Sequence, residues 1–277
     1  MTMRRSVNFI DAEMVSATDR GFTYGDGLFE TVRVHHGNAP LWHRHLSRLH
    51  DGCARLHLAH PDEKRLHAEV MRLCDGLDDA VVRITLSRGP GERGYALPAE
   101  PRQTIVVASS PLVLDRAAYE QGIAIRLCDT RYGDQPLLAG MKHLNRLEQV
   151  LARAEWSDAS RSEGLMRDLS GNVISATAAN MFVVLDGRFV TPPVDRCGVA
   201  GVARAEVMAC RQVRVEAVSL EQLVKADEVF LTSAVRGILP VRAFAGRTWS
   251  PGPLTRALQT HWRDLGLSLP WNEGSDT

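Results

Sequence analysis

The chain has 277 residues, 44% of them apolar and 24% charged, with 33 basic and 33 acidic side chains and therefore no net charge. That balance argues against nucleic acid or an anionic membrane as partner, because both select a basic face. No apolar run reaches the roughly 20 residues that span a bilayer, and no apolar segment follows the N-terminal charges as in a secretory leader.

Five cysteines, an odd number with no Cys-x-x-Cys pair, are expected as reduced thiols packed as small apolar groups in a cytoplasmic protein. The ten histidines suggest no metal site. His43 and His45 share a predicted helix but point about 200° apart, a poor start for a zinc site.

In chain order, Ser6–Ile10 reads as a short strand. A glycine-rich loop over Thr18–Gly27 then feeds an alternating strand, Leu28–His35. A strand after such a loop, rather than a helix, excludes a dinucleotide fingerprint. Leu46, Leu49, Cys53 and Leu56 fall at helical spacing, with Arg48 beside the stripe. A second helix is expected over Glu63–Cys74, then strands over Ala80–Leu86 and Thr104–Ser109. Between those strands Ser87–Tyr95 carries Arg88, Arg93, Tyr95 and several glycines. It reads either as a solvated hairpin loop or as a mobile grip for carboxylates.

Ser110–Asp115 has the character of a linker, which divides the chain into a small domain, 1–112, and a larger one, 113–277. A strand over Ile123–Cys128 precedes the stretch Leu137–Leu151, which holds Lys142, one of three lysines against thirty arginines. Lys142 is expected to open a helix whose apolar face is Leu144, Leu147, Val150, Leu151 and Ala154. A lysine there can snorkel, its stem covering apolar surface. Equally, apolar surroundings disfavour its charged form and make it an amine nucleophile or general base.

A meander follows: 164–168, 172–177, 180–185 and 188–191, with Asp186-Gly187 as a hairpin signal. Gly198–Met208 enters a helix through Gly-x-x-Gly, a weak sign of phosphate binding. Ala226–Thr232 and Ser233–Val241 continue the strands. The tail from Pro253 to Leu267 reads as an amphipathic helix, with Asn272–Thr277 frayed.

Several segments together resemble the class IV aminotransferases, the fold-type IV pyridoxal-phosphate enzymes. They are Asp19-Arg20, Tyr24–Thr31, His45–Leu49, Ser87-Arg-Gly, Arg93–Tyr95, Leu138–Leu151, Ala178–Phe182, Gly198–Val202 and Leu239–Val241. The Lys142 segment and the Arg-Gly-Tyr loop resemble the lyase branch, which releases pyruvate and an aromatic amine. The resemblance implies a two-domain α/β (α+β) fold with pyridoxal 5'-phosphate in the cleft between a small N-terminal domain and a larger β-rich domain that carries the lysine. Lys142 would attach the cofactor covalently and act as base, with Thr31 hydrogen bonded to it. Arg48, the backbone N–H groups of Val202 and Ala203, and Ser233 and Ala234 would hold the phosphate. Arg93 and Tyr95, with Arg88, would grip a small-molecule dicarboxylate. A cytoplasmic homodimer is implied as well.

One position departs from the family pattern. Where the family places a glutamate against the pyridine nitrogen, this chain has Ser175. A hydroxyl brings no charge, so the ring becomes a weaker electron sink. Two other readings stay open at this point: a D-amino-acid or branched-chain aminotransferase, and a cofactor-poor homologue with a binding role.

Overall fold

A computed structural model describes residues 3–158 and 160–270 of the chain. They divide into two compact units, Met1–Val113 with Met141–Asn145, and Leu114–Gly140 with Arg146–Thr277. The frayed tail expected over Asn272–Thr277 lies outside the described residues.

The first unit contains β1 (Arg4–Val7), α1 (Arg20–Tyr24), β2 (Gly27–His35), α2 (Trp42–Leu56), α3 (Glu63–Cys74), β3 (Asp79–Ser87) and β4 (Thr104–Pro111). Its antiparallel sheet runs β1-β4-β3-β2, with β2 and β3 in unbroken register from Gly27↔Ser87 to His35↔Asp79. Alternation puts Leu28, Val32, Val34, Val82, Ile84 and Leu86 on one buried face, packed beneath Leu49 and Cys53 of α2 and Leu66 and Val70 of α3. The other face carries Phe29, Thr31, Arg33 and Arg83.

The glycine-rich stretch is not all loop. Asp19 accepts the Gly21 N–H at 2.8 Å and caps the short α1, and Gly25 closes it at φ 67°.

Lys142 departs further from expectation. It opens no helix, since the next one begins only at Leu147, and with Met141–Asn145 it belongs to the first unit. The Phe29 N–H donates to the Lys142 carbonyl at 2.9 Å and the Leu144 N–H to the Gly27 carbonyl at 3.0 Å, with Leu28 and His143 bridged antiparallel. The physical reason is the exposed edge of β2: its N–H and C=O groups need partners, and Met141–Asn145 supplies them.

The second unit contains α4 (Arg116–Glu120), β5 (Ile123–Arg131), α5 (Leu147–Ala154), β6 (Glu163–Arg167), β7 (Val173–Ala176), β8 (Asn180–Leu185), β9 (Arg188–Thr191), α6 (Val202–Cys210), β10 (Val213–Val215), α7 (Leu220–Lys225), β11 (Glu228–Ser233), β12 (Gly237–Phe244), β13 (Arg247–Thr248) and α8 (Pro253–Asp264). The sheet runs β10-β9-β8-β11-β12-β5-β6-β7, and a further pairing of β7 with β8 at Ser175↔Asn180 closes six strands into a ring. Parallel pairing of β5 with β6 requires a crossover, which α5 supplies. Tight turns do the rest: Asp186 and Gly187 both take positive φ between β8 and β9. Ser219 and Gln222 form a reciprocal capping box on α7.

The apolar face expected on α5 does not face the core. Leu147, Val150 and Leu151 are 75%, 59% and 60% exposed. The packed side is instead built on buried Ala152 and two glutamates. Glu148 accepts the Gly133 N–H, and Glu155 those of Asp129 and Thr130. The end of β5, where its pairing with β6 shifts register between Leu127 and Arg131, and the turn after it need hydrogen-bond acceptors there, and a carboxylate meets that need where leucine cannot.

Candidate active site

In the first unit three ionisable side chains meet behind β2. Glu30, 1% exposed, points from the strand toward α2, where His45 and Arg48 lie three residues apart on one helix face. The His45 Nδ1–H donates to Glu30 Oε2 at 2.6 Å, and Arg48 Nε donates to Oε1 at 2.8 Å, while its Nη2 holds Oε2. Burial pushes the Glu30 carboxyl up, but Arg48 and His45 outweigh it and bring the pKa to about 2. Burial, with help from Arg48 and Lys142, lowers that of His45 against the pull of Glu30. The arrangement at neutral pH is therefore an ionised Glu30, a neutral His45 that donates from Nδ1, and a guanidinium whose plane Glu30 fixes. Arg48 was read from the sequence; Glu30 and His45, which orient it, were not assigned a role. Their signal was the i, i+3 spacing opposite an inward strand position.

On the other face of β2 the Lys142 amine stands 4.2 Å from the centre of the Phe29 ring. Lys142 is half-buried there. Strand alternation puts Thr31 on that same face, two residues along.

The loop after β3 is braced rather than solvated. Arg88, 3% exposed, donates from Nε and Nη2 to Asp26 at 2.8 and 3.0 Å, and to the carbonyls of Leu56 and His57. Arg20 shares Asp26 and donates to the Gly94 carbonyl at 3.0 Å, while the Tyr24 hydroxyl accepts the Gly94 N–H. Burial raises the Asp26 pKa, yet Arg88 and Arg20 bring it below the ordinary value. The donors of Arg88 are thus engaged by Asp26 and the two carbonyls. Arg93 and Tyr95, by contrast, are exposed, Tyr95 to 85%, and Tyr95 stacks edge-on against Tyr24 at 5.5 Å.

In the second unit Ser175 lies in β7, buried, in register with Asn180 of β8. Its hydroxyl donates to the Ala176 carbonyl at 3.0 Å, so the Tyr132 hydroxyl, 2.9 Å away, donates to Ser175. Burial raises the Tyr132 pKa, so the pair is neutral. Asn180 also pins the entry to α6: its Nδ2 donates to the Val199 carbonyl at 2.9 Å, and a Cβ on Gly201 would fall 2.1 Å from its Oδ1. The Gly140 N–H donates to the Gly198 carbonyl, and the Ala200 N–H to that of Gly140. No side chain caps α6, so its first turn, with Val202 and Ala203, presents N–H groups and the positive end of a helix dipole. Ser233 and Ala234 lie at the β11–β12 turn, where the Ser233 hydroxyl accepts the Arg236 N–H at 3.1 Å.

Residues 27–244 match the family profile Amino-transferase class IV. The chain belongs to the class IV aminotransferase family. Within that family it is 34% identical to an aminodeoxychorismate lyase of Vibrio harveyi, over 91% of this chain and 97% of that one. A D-alanine aminotransferase of Bacillus licheniformis is 29% identical over 96% and 95%. The crystal structure of 4-amino-4-deoxychorismate lyase from Pseudomonas aeruginosa superposes at a TM-score of 0.89, with 45% identity, covering 94% of this chain and 98% of its own.

Class IV aminotransferases use pyridoxal phosphate, and the residues present here fit that group. The first unit offers an amine over an aromatic ring and an oriented guanidinium. The second offers an uncapped helix entry, a match for a phosphate near two negative charges. Ser175 fits as a neutral hydroxyl, not as a charged partner.

Proposed function

We propose that this chain is a pyridoxal-phosphate-dependent lyase that converts 4-amino-4-deoxychorismate to 4-aminobenzoate and pyruvate, a step of folate biosynthesis. The observation that carries the reading is the Lys142 amine, fixed over Phe29 by main-chain bonds to β2, in a chain 45% identical to the Pseudomonas lyase.

In this reading Lys142 attaches the cofactor and, once released, takes the proton from the amine-bearing carbon of the substrate at its Nζ. Thr31 hydrogen bonds that amine. Arg48, the N–H groups of Val202 and Ala203, and Ser233 and Ala234 hold the phosphate. The bound cofactor supplies a ring that accepts the electrons left when that proton departs. Pyruvate then leaves the neighbouring carbon and the substrate ring becomes aromatic, a driving force that tolerates the weaker sink Ser175 provides. Arg93 and Tyr95 grip substrate carboxylates, while Arg88 and Arg20 hold their loop in shape.

The protein works in the cytoplasm as a homodimer. The exposed Leu147, Val150 and Leu151 of α5 support a partner subunit, and a mass measurement in solution tests it. No helix among the described residues is long and apolar enough to cross a membrane.

The deciding assay follows pyruvate release with and without added pyridoxal phosphate and with no keto acid present. Release that depends on the cofactor and disappears in Lys142→Ala is expected. Turnover only after a keto acid is supplied would assign the chain to amino transfer instead. A purified protein that binds no cofactor would assign it a non-catalytic role.

A further inference from the structure

One buried carboxylate of the second unit has no task in the scheme above. Glu163, 3% exposed, is the first residue of β6. Its Oε1 accepts the Thr177 hydroxyl at 2.6 Å, while its Oε2 accepts the Ala178 N–H at 3.2 Å and lies 3.6 Å from Arg236 Nη2. Donors from two separate turns therefore converge on one carboxylate: the turn from β7 to β8 and the turn from β11 to β12. Glu228 of β11, also buried, shows what the fold does with a glutamate that serves one element. It accepts the Leu254 and Thr255 N–H groups and the Thr255 hydroxyl, all from the first turn of α8.

Both turns support donors of the phosphate site proposed above. Thr177 and Ala178 lead to Asn180, whose Nδ2 holds the Val199 carbonyl and whose Oδ1 lies against Gly201 at the entry to α6. Arg236 closes the other turn: its N–H donates to the Ser233 hydroxyl at 3.1 Å, and its carbonyl accepts the Tyr119 hydroxyl at 2.7 Å. Ser233 accepts from Arg236 and so keeps its own proton to donate. Strand pairing fixes β8 against β11 as far as Asn180 and Thr232. Beyond that pair the Glu163 carboxylate ties one turn to the other. Hydrogen bonds weaken steeply as their geometry slips, so donors drawn from two loops serve one anion only if the spacing of the loops is held.

We propose that Glu163 is a positioning residue of the phosphate site. With Arg236 it clamps the two turns at the spacing that lets Ser233, Ala234 and the first turn of α6 meet one phosphate. The proposal rests on the pyridoxal-phosphate reading for the identity of that anion. Glu163 touches no ligand in this account, which separates it from a simple electrostatic effect. By charge alone, removing a carboxylate near the site tightens the binding of an anion, and removing a guanidinium weakens it. The clamp moves both in one direction, because loss of either partner frees the same turn.

The test compares the wild-type chain with Glu163→Gln, Arg236→Met, the double variant and Arg236→Lys, each freed of cofactor. Equilibrium dialysis gives the Kd of pyridoxal 5'-phosphate and that of pyridoxal, which has the same ring and aldehyde but no phosphate. A thermal melt accompanies each protein. Glu163→Gln keeps the shape and the contacts to Thr177 and Ala178 but not the charge that holds Arg236. Each single variant is expected to raise the pyridoxal-phosphate Kd about 10-fold while the pyridoxal Kd stays within about twofold of wild type. The double variant binds no more weakly than the weaker single one, since both remove one interaction. Arg236→Lys, which keeps the charge, recovers most of the loss. A Glu163→Gln protein that binds pyridoxal phosphate as tightly as wild type, or more tightly, would overturn the proposal. So would losses that multiply in the double variant, or a lower melting temperature with both ligands weakened equally, the mark of a general loosening of the fold. Arg236→Met, on a partly exposed side chain, carries the same comparison should Glu163→Gln fail to fold. A wild type that binds no pyridoxal phosphate overturns the cofactor reading and the proposal with it, whereas variants equal to a wild type that does bind overturn the proposal alone. Binding is read without turnover, so a chain that binds the cofactor yet releases no pyruvate loses the lyase reading and keeps the clamp.

Discussion

Replacing Glu30 by glutamine keeps the shape of the buried cluster and removes its only negative charge. In the native protein the Glu30 pKa falls from its ordinary 4.5 to about 2. That difference is worth about 3 kcal/mol of stability at pH 7. A folded-state pKa below the unfolded one means that the stability is complete above pH 4.5 and disappears as the pH falls through about 2. Glu30→Gln is therefore expected to lose about 3 kcal/mol at pH 7, a drop of roughly 6–12 °C in melting temperature for a chain of this size. Its deficit against wild type should shrink to about 2 kcal/mol at pH 3.5, where the unfolded carboxyl is mostly protonated. Urea titrations of both proteins at the two pH values give the numbers. His45, whose pKa is also depressed, has the same sign at a higher window: below about 6.5 the unfolded state takes up a proton that the folded state resists. Glu30 itself pulls the His45 pKa up, so that slope differs between the two proteins, and the same comparison made in a His45→Gln background removes it. A Glu30→Gln protein within 1 kcal/mol of wild type at pH 7, or a deficit that does not narrow in acid, would refute the account of a charge held by Arg48 and His45.

Ser175→Glu restores a carboxylate at β7 and is expected to raise transaminase side activity more than lyase activity. Equal changes in the two would count against the role given to the aromatic driving force. The same substitution breaks the Tyr132–Ser175 hydrogen bond in a buried site, so a loss of roughly 1–3 kcal/mol should appear in a urea melt. Gly201→Ala places a Cβ 2.1 Å from Asn180 Oδ1 and must move either the α6 entry or Asn180. A cofactor affinity reduced at least about tenfold, read by equilibrium dialysis, is expected from the displaced N–H groups; unchanged affinity would remove the α6 entry from the phosphate site.

Much of this protein is legible in its sequence. The strands of the first unit alternate, so β2 and β3 come within a residue of their expected bounds, and α3 matches from Glu63 to Cys74. Helical spacing located Leu49 and Cys53 in the core and Arg48 beside them. The misses share a cause, which is that the partner of a segment lies far along the chain. Nothing local to Met141–Asn145 tells that β2, more than a hundred residues earlier, has an open edge. The stripe on α5 was read as core because periodicity reports that a helix has two faces, not which one the rest of the chain covers. The glycines around Arg88 suggest a loop that is either solvated or a mobile grip, and nothing local shows that it is braced. Its anchors, Asp26 and the carbonyls of Leu56 and His57, come from other elements. Polar constellations such as Glu30–His45–Arg48 are legible only once a strand and a helix are known to face each other.

The edge pairing of β2 also orders events in time. The first unit is discontinuous: it consists of Met1–Val113 and a five-residue piece that follows after an interval of other sequence. A growing chain that has passed Val113 still has an open strand edge and no amine over Phe29. It must carry that edge until Asn145 has left the ribosome. A fragment ending at the linker therefore inherits a sticky border and no reactive lysine. A single cut at the linker would leave the five-residue piece attached to the second unit. Synthesis, secretion of fragments and splitting of the protein for complementation all meet the same constraint: the chemistry of the first unit becomes available only after about half the chain has been made.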